Sequence, residues 1–219
     1  MKFSDLKGKK VGICASGGLV SLFIAQRLKE EHVDVEQFIV DIGQPGDEAH
    51  EFCADNIELM QAVNVIDLKE DIALSFLHAV RAQAQYDGGY WNTTGIARAV
   101  TVKGLVDALR ERQCSVLAHG AVHGGNDEFR FNYYLKMFAP EITPFSPWED
   151  PTTSDRFRTR VDMGDFVADA DETMMRTKAH HSVDANVGGV SHENREVEVL
   201  SNSPDMISPI MGVKVMDAP

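Results

Sequence analysis

Apolar positions along this chain alternate between short continuous runs and helical stripes. KKVGICA (9–15) is a short apolar run suited to a buried strand, and beyond it Val20, Phe23, Ile24 and Leu28 fall at the i, i+3, i+4, i+8 spacing of a helix over 18–30. VEQFIVDIG (35–43) predicts a second strand. GDEAHEFCADNIELMQ (46–61) predicts a helix whose acidic start suits a helix N-terminus, and VNVIDLK (63–69) a third strand. Residues 71–84 are helical in pattern, YDGGYWNTTG (86–95) breaks that pattern, and a helix resumes with Val102, Leu105, Val106 and Leu109 on one face. SVLAHGAV (115–122) predicts a fourth strand, GGNDEFRFNYYLKMF (124–138) a loop running into a helix, and EITPFSPW (141–148) a short fifth strand ending at prolines. In that helix Phe131, Tyr133, Tyr134 and Phe138 recur at helical spacing and are expected in the core. Strands that alternate with helices imply an α/β fold, a three-layer α/β/α sandwich around a mainly parallel five-stranded sheet.

Towards the end the pattern weakens. Residues 149–165 are charged and irregular, 166–178 read as a helix, HHSVDANVGGVSHE (180–193) as a loop, and the tail to Pro219 as a weakly β segment that packs on something. Apolar surface from Ile207 to Val215 is expected to serve as a self-association or partner patch. The expectation is a single domain over 1–219, with its core at about 8–180 and an appendage at 181–219.

Charge and cysteines narrow the class. The net charge of −13 is spread through the chain, so it repels phosphate backbones and anionic membranes and argues against nucleic acid as a partner. Cys14, Cys53 and Cys114 form an odd, widely spaced set that suits a reducing, cytoplasmic setting better than a disulfide framework or a paired metal site. The basic start followed by VGICASGGLVSLFIA has the length of a signal h-region, but its Ser-Gly-Gly centre and helical periodicity fit strand, turn and helix better. No run approaches the ~20 apolar residues of a membrane span.

In a doubly wound sheet, ligands bind at the carboxyl ends of the strands. There ASGGLVS (15–21) joins the first strand to the first helix, with glycines that let backbone N–H groups approach an anion at a helix N-terminus. A phosphate cradle and a plain tight turn both fit these residues, which match neither Walker A nor GxGxxG. His119 and His123, and the adjacent His180 and His181, lack the neighbours that zinc requires and read as polar loop residues. Cys14 reads as a small buried hydrophobe and not as a nucleophile.

SGGLVS resembles the SGGxD[ST] signature of the PP-loop ATP pyrophosphatases, which cleave ATP to AMP and pyrophosphate. Further blocks narrow the resemblance: Asp41 to Gln44, Tyr90 to Thr94, Ala97 to Val100, His119-Gly120, Gly125 to Asp127, Arg130-Phe131, Pro147-Trp148, Ser182 to Asn186 and Pro209 to Lys214. In order and spacing they are similar to argininosuccinate synthase. That resemblance implies ATP with Mg2+ as cofactors and a HUP-like fold. It implies an AMP-forming C–N ligase in which the ureido oxygen of citrulline attacks the α-phosphate and an amine then displaces AMP. It places Cys14, Ala15, Ser16, Gly17, Gly18 and Ser21 around the pyrophosphate end of ATP, Val40 beside the adenine, and Gly120, Asp127 and Asp184 nearby. Tyr90, Thr93, Thr94, Asn126, Arg130, Ser182, Ser191 and Glu193 would face a citrulline-like amino-acid substrate, with Asp127 and Arg130 as the catalytic pair. No protein ligand is assigned to the metal.

Three positions depart from the family pattern. Val20 stands where the signature has aspartate, Val122 where it has threonine, and Gly124 where it has lysine, so a carboxylate, a hydroxyl and a cation are lost. The chain also ends where the family's second domain would begin. Two other readings therefore accompany the ligase: a catalytically inactive nucleotide or amino-acid binding module, and a subunit, homo-oligomeric or paired with another chain, that receives its missing half from a partner.

Overall fold

The computed structural model describes residues 1–16, 18–44, 63–86, 88–157, 159–167 and 182–193, together with 197, 199–203, 206, 207 and 211. Its centre is β1 (Lys10–Ala15), where Val11, Ile13 and Ala15 turn to one face of the sheet and Gly12 and Cys14 to the other. β2 (Asp34–Asp41), β3 (Val63–Asp67), β4 (Val116–His119) and β5 (Thr143–Phe145) complete an all-parallel sheet in the order β3-β2-β1-β4-β5. The strand order switches from one side of β1 to the other between β3 and β4, so the crevice between the β1 and β4 ends is the place where this architecture opens for a ligand.

Both faces are covered, which is why the central strands read as nearly unbroken apolar runs. On one face α1 (Leu19–Glu30), α5 (Pro151–Arg156) and α6 (Arg160–Phe166) pack with the N-terminal 3-10 turn Phe3–Leu6. Phe3, Phe23, Phe145 and Phe157 meet there edge to face at centroid distances of 4.7–6.4 Å. On the other face lie α2 (Lys69–Arg81), α3 (Thr93–Glu111) and α4 (Asn126–Phe138), with Phe38, Leu105, Leu109, Leu117, Phe131 and Leu135 buried between them and the sheet. α3 sits so close to β1 that a Cβ on Gly12 would overlap Leu109 and Phe38.

The strand and helix alternation appears as the periodicity predicts, and several local expectations are corrected. The N-terminal residues are part of the core: Phe3 and Leu6 are fully buried, and the Phe3 N–H donates to Asp150 at 2.9 Å. α3 starts at Thr93, inside the stretch expected as a loop, because Asn92 takes the left-handed conformation (φ 53°) and turns the chain into the helix. Residues 149–165, expected to be irregular, form α5 and α6. Asp150 caps Thr152 N–H ahead of Pro151, and Thr159 and Asp162 form a reciprocal capping box.

The segment 180–193, expected as a loop, contains the antiparallel hairpin β6 (Ser182–Asn186) and β7 (Gly189–Glu193), joined through Val187-Gly188. Its turn is fastened to the body: Val187 N–H donates to Ile42 O at 3.0 Å, and Gly43 (φ 76°) lies against the Val187 side chain. Tyr133 is corrected from core to surface, where Phe129, Tyr133 and Met137 form the outer stripe of α4, while Phe131 is buried as expected. His119 is no loop residue; it ends β4, buried, its ring stacked on Phe131 at 4.9 Å. Among the described tail residues, 199–203 form a turn and not a strand. The predicted helix 46–61, most of 166–178, Cys53, His180, His181 and most of Ile207 to Val215 lie outside the described residues. Among the described residues no helix is long and apolar enough to cross a membrane.

Candidate functional site

The chain leaves β1 at Ala15 and enters α1 at Leu19, with Gly18 as an extended N-cap (φ −95°, ψ 166°) and no acidic residue in the first helical turn. That turn carries no charged side chain, so its partial positive charge is uncompensated from within the helix. Ser16 is exposed on the loop. Its N–H donates to Ser21 Oγ at 3.1 Å, and the two hydroxyls lie 3.5 Å apart. Ser21 is buried, so its hydroxyl braces the loop from beneath. Gly17 lies outside the described residues. Val40 is buried at the end of β2, and half-buried Cys14 lies beneath the loop, its thiol pushed up to about 11 by burial.

Val20, on the first turn of α1, lies against Gly120 so closely that a Cβ on Gly120 would meet Val20 Cγ1 at 2.7 Å. Here, where the PP-loop signature carries a carboxylate, the side chain makes an apolar contact across the crevice between β1 and β4.

Beside the loop, on the α3 and α4 side, the polar residues converge. Arg98 is the hub: its Nε donates to Asp127 Oδ2 at 2.9 Å and its terminal nitrogen to Asp184 Oδ1 at 2.7 Å. Arg130 donates to the other oxygen of Asp127 at 2.8 Å. Burial by itself would raise the Asp127 carboxyl, but the Arg98 and Arg130 guanidiniums outweigh it and hold it below the ordinary range. Burial opposes the Arg98 charge, and Asp127 with Asp184 more than restores it. The network joins α3, α4 and β6, so it fastens the hairpin over the carboxyl ends of the sheet. Thr94 Oγ1 lies 3.3 Å from Ser191 Oγ, a second tie between α3 and the hairpin.

Tyr90 stands at the rim, its hydroxyl accepting from Thr94 N–H at 3.4 Å. Burial would raise its pKa, but hydrogen bonds from Thr94 and Thr93, with the charge of Arg130, bring it below the usual phenol range. Asn126 is exposed on the first turn of α4, and Ser182 and Glu193 pair as the outer ends of the hairpin. Thus Tyr90, Thr94, Asp127, Arg130, Asp184 and Ser191 come together around one hub, while Ser16, Gly18, Ser21 and Gly120 lie at the β1 and β4 ends. Arg98, absent from the candidate residues, is the central group. Its only sequence signal was its place inside the Ala97 to Val100 block, since an arginine on a helix otherwise reads as surface.

A second carboxylate braces the loop after β4: Glu128 accepts from Gly124 N–H at 2.7 Å and lies 3.1 Å from His123 Nδ1. At the end of β2, Lys69 bridges Asp41 at 2.6 Å and Asp67 at 3.0 Å. Among the described residues no group of three or more His, Cys, Asp or Glu is placed to hold a metal ion.

A five-stranded parallel sheet with a glycine loop leading from its first strand into a helix N-terminus defines an α/β domain of the HUP and PP-loop class. Residues 10–186 match the family described as the arginosuccinate synthase N-terminal HUP domain, and the chain belongs to that family. A solved structure from Methanocaldococcus jannaschii, described as a predicted subunit of tRNA methyltransferase, is similar at 18% identity. It covers 64% of this chain and 68% of its own, with a TM-score of 0.44.

Proposed function

We infer that this domain binds Mg-ATP on the β1–α1 loop and activates an amino-acid substrate as an AMP-forming C–N ligase. The observation that carries the reading is the Arg98 hub, which brings Asp127, Arg130 and Asp184 into one cluster, with the Thr94–Ser191 pair as a separate tie between the same helix and the hairpin. An amino-acid carboxylate is matched by the outer N–H groups of Arg130, and a neutral ureido group by hydroxyls such as Thr94, Ser191 and Tyr90. The amides of the first turn of α1 suit the nucleotide phosphates, with Ser16 at the loop tip and Ser21 bracing it. Val40, buried at the β2 end, supplies an apolar wall for a base. Mg2+ would be carried on the phosphates with its waters, for Val20 offers it no oxygen.

In this reading the substrate oxygen forms a bond to the α-phosphorus as the bond to pyrophosphate breaks, and an amine then displaces AMP. Asp127 is held ionised between two guanidiniums, so its role is to orient Arg130 and not to move a proton. The contact of Val20 with Gly120 favours a second reading. A crevice walled by an apolar side chain in place of a carboxylate suits a module that binds nucleotide or amino acid without turnover, alone or as a subunit with another chain.

Calorimetric titration of Mg-ATP, followed by pyrophosphate release with and without citrulline and aspartate, separates the readings. Binding with release that depends on the amino acids supports the ligase, and Arg130→Gln should then raise KM for the amino acid by at least tenfold. Binding without release supports the module, and absence of binding refutes both.

A further inference from the structure

α4 carries its polar chemistry on one side and an apolar ridge on the other. Asp127 and Arg130 join the Arg98 hub, and Phe131 and Leu135 are buried towards the sheet. On the outer side Phe129, Tyr133 and Met137 are 69%, 49% and 53% exposed. Their i, i+4, i+8 spacing makes them one continuous ridge along the helix. The Phe129 and Tyr133 rings stack at 5.7 Å, and half-buried Tyr134 and Phe138 stack at 6.2 Å. The ridge is therefore ordered before anything covers it. Side chains of this size bury ~150–250 Å² each when fully covered, so at these exposures the ridge leaves roughly 300 Å² open, comparable to the largest apolar patch of an ordinary monomer.

Charge and spacing select a second copy of this chain as the occupant. A net charge of −13 opposes self-association over most of the surface. The outer face of α4 is an exception: among the described residues of that helix, the exposed positions carry a single charge, that of Lys136. Its acids are engaged elsewhere, Asp127 by Arg98 and Arg130, and Glu128 by the Gly124 N–H and His123. Two copies can meet there without opposing carboxylates. The ridge is also self-complementary. If two such helices cross antiparallel about a two-fold axis at position 133, Tyr133 meets the partner's Tyr133, and Phe129 meets the partner's Met137, an aromatic ring against a thioether. The antiparallel crossing sets the helix dipoles favourably and keeps the two Lys136 ammoniums apart. With exposed Asn126, Lys136 and Pro140 at the flanks, two ridges approach the ~1,000 Å² that a specific interface requires, which suits a weak dimer.

We propose that the outer face of α4 is the interface of a homodimer, in which Phe129, Tyr133 and Met137 of one protomer pack antiparallel on the same ridge of its partner. The interface requires neither nucleotide nor amino acid, so it stands apart from the ligase and binding-module readings.

Sedimentation equilibrium of the wild-type chain without ATP, from ~1 µM to ~0.5 mM, should show a monomer–dimer equilibrium with a Kd of roughly 1–100 µM. Phe129→Glu and Met137→Glu, at exposed positions that tolerate charge, should each weaken the dimer at least tenfold with Tm unchanged. Leu77→Glu, at a position of α2 that is 52% exposed, should leave it intact. Because the two-fold axis brings residue 133 against its own copy, Tyr133→Cys under mild oxidation should give covalent dimer well above the level of wild type or of Leu77→Cys. A wild-type chain that stays monomeric throughout, a dimer that survives both glutamates, an equal loss with Leu77→Glu, or no excess of covalent dimer from Tyr133→Cys would each overturn the proposal. Failure of Mg-ATP to bind would leave it standing.

Discussion

Replacing Arg98 with methionine keeps most of the side-chain bulk and removes the charge that joins α3, α4 and the β6–β7 hairpin. Three contacts disappear, at 2.9 and 2.8 Å to Asp127 and 2.7 Å to Asp184, among side chains that are only 19–27% exposed. Breaking a buried pair by removing one partner costs about 3–5 kcal/mol, chiefly through the charge left behind. Asp127 keeps Arg130 at 2.8 Å, which moves the expected cost to the lower end, about 3 kcal/mol. For a domain of this size that is a fall in Tm of about 6–12 °C. The loss should also depend on pH. The folded pKa of Asp127 is depressed, so its stabilisation is present above an unfolded value near ~4 and is lost as pH falls through the folded one. Thermal unfolding followed by circular dichroism should therefore show wild type and Arg98→Met far apart at neutral pH and converging towards pH ~3. A Tm within 2 °C of wild type at neutral pH, or a gap that persists unchanged in acid, would refute the assignment of Arg98 as the hub.

His119 is buried, its pKa lowered by burial despite the hydrogen bond to Asn132. The folded state resists the proton that the unfolded chain accepts near ~6.5, so its contribution is present above that pH and declines below it. His119→Phe preserves the ring stack on Phe131 and should flatten the loss of stability in denaturant melts between pH 7 and 5; an unchanged slope would clear His119 of that role. Gly12→Ala would drive a Cβ into Leu109 and Phe38, overpacking that costs about 2 kcal/mol, and scanning calorimetry should show a lowered Tm. A native Tm would mean that α3 shifts away without cost. The Cys14 and Cys114 thiols are both pushed up to about 11 by burial, so at pH 8 each should be alkylated at least ~100-fold more slowly than a free thiol. Peptide mapping after iodoacetamide would detect rapid labelling of either and contradict their burial.

The hydrophobic pattern by itself determined the α/β class. Strands that are covered on both faces need apolar side chains at nearly every position, and KVGICA and the FIV of the second strand carry that need openly. The β1–α1 loop was legible for a similar reason, since a tight turn into a helix demands small residues in a short window. The helices in 149–165 were missed because that stretch is irregular by hydrophobicity, and their starts rest on the local caps at Asp150 and at Thr159 with Asp162. The hairpin at Ser182–Glu193 was hidden because its stability comes from the Val187 tie to Ile42, 145 residues away in sequence, and from the Thr94 contact on α3, 97 residues away. Tertiary structure alone decided the site. Arg98, Asp127 and Asp184 are separated by 29 and 86 residues from the hub outward, and no periodicity foretells that one guanidinium will meet both carboxylates. The same holds for Val20 and Gly120: sequence records a lost carboxylate, whereas packing shows what the valine touches in its place. Long-range pairing depends on how the sheet brings strand ends together, and that geometry exists only once the chain has folded.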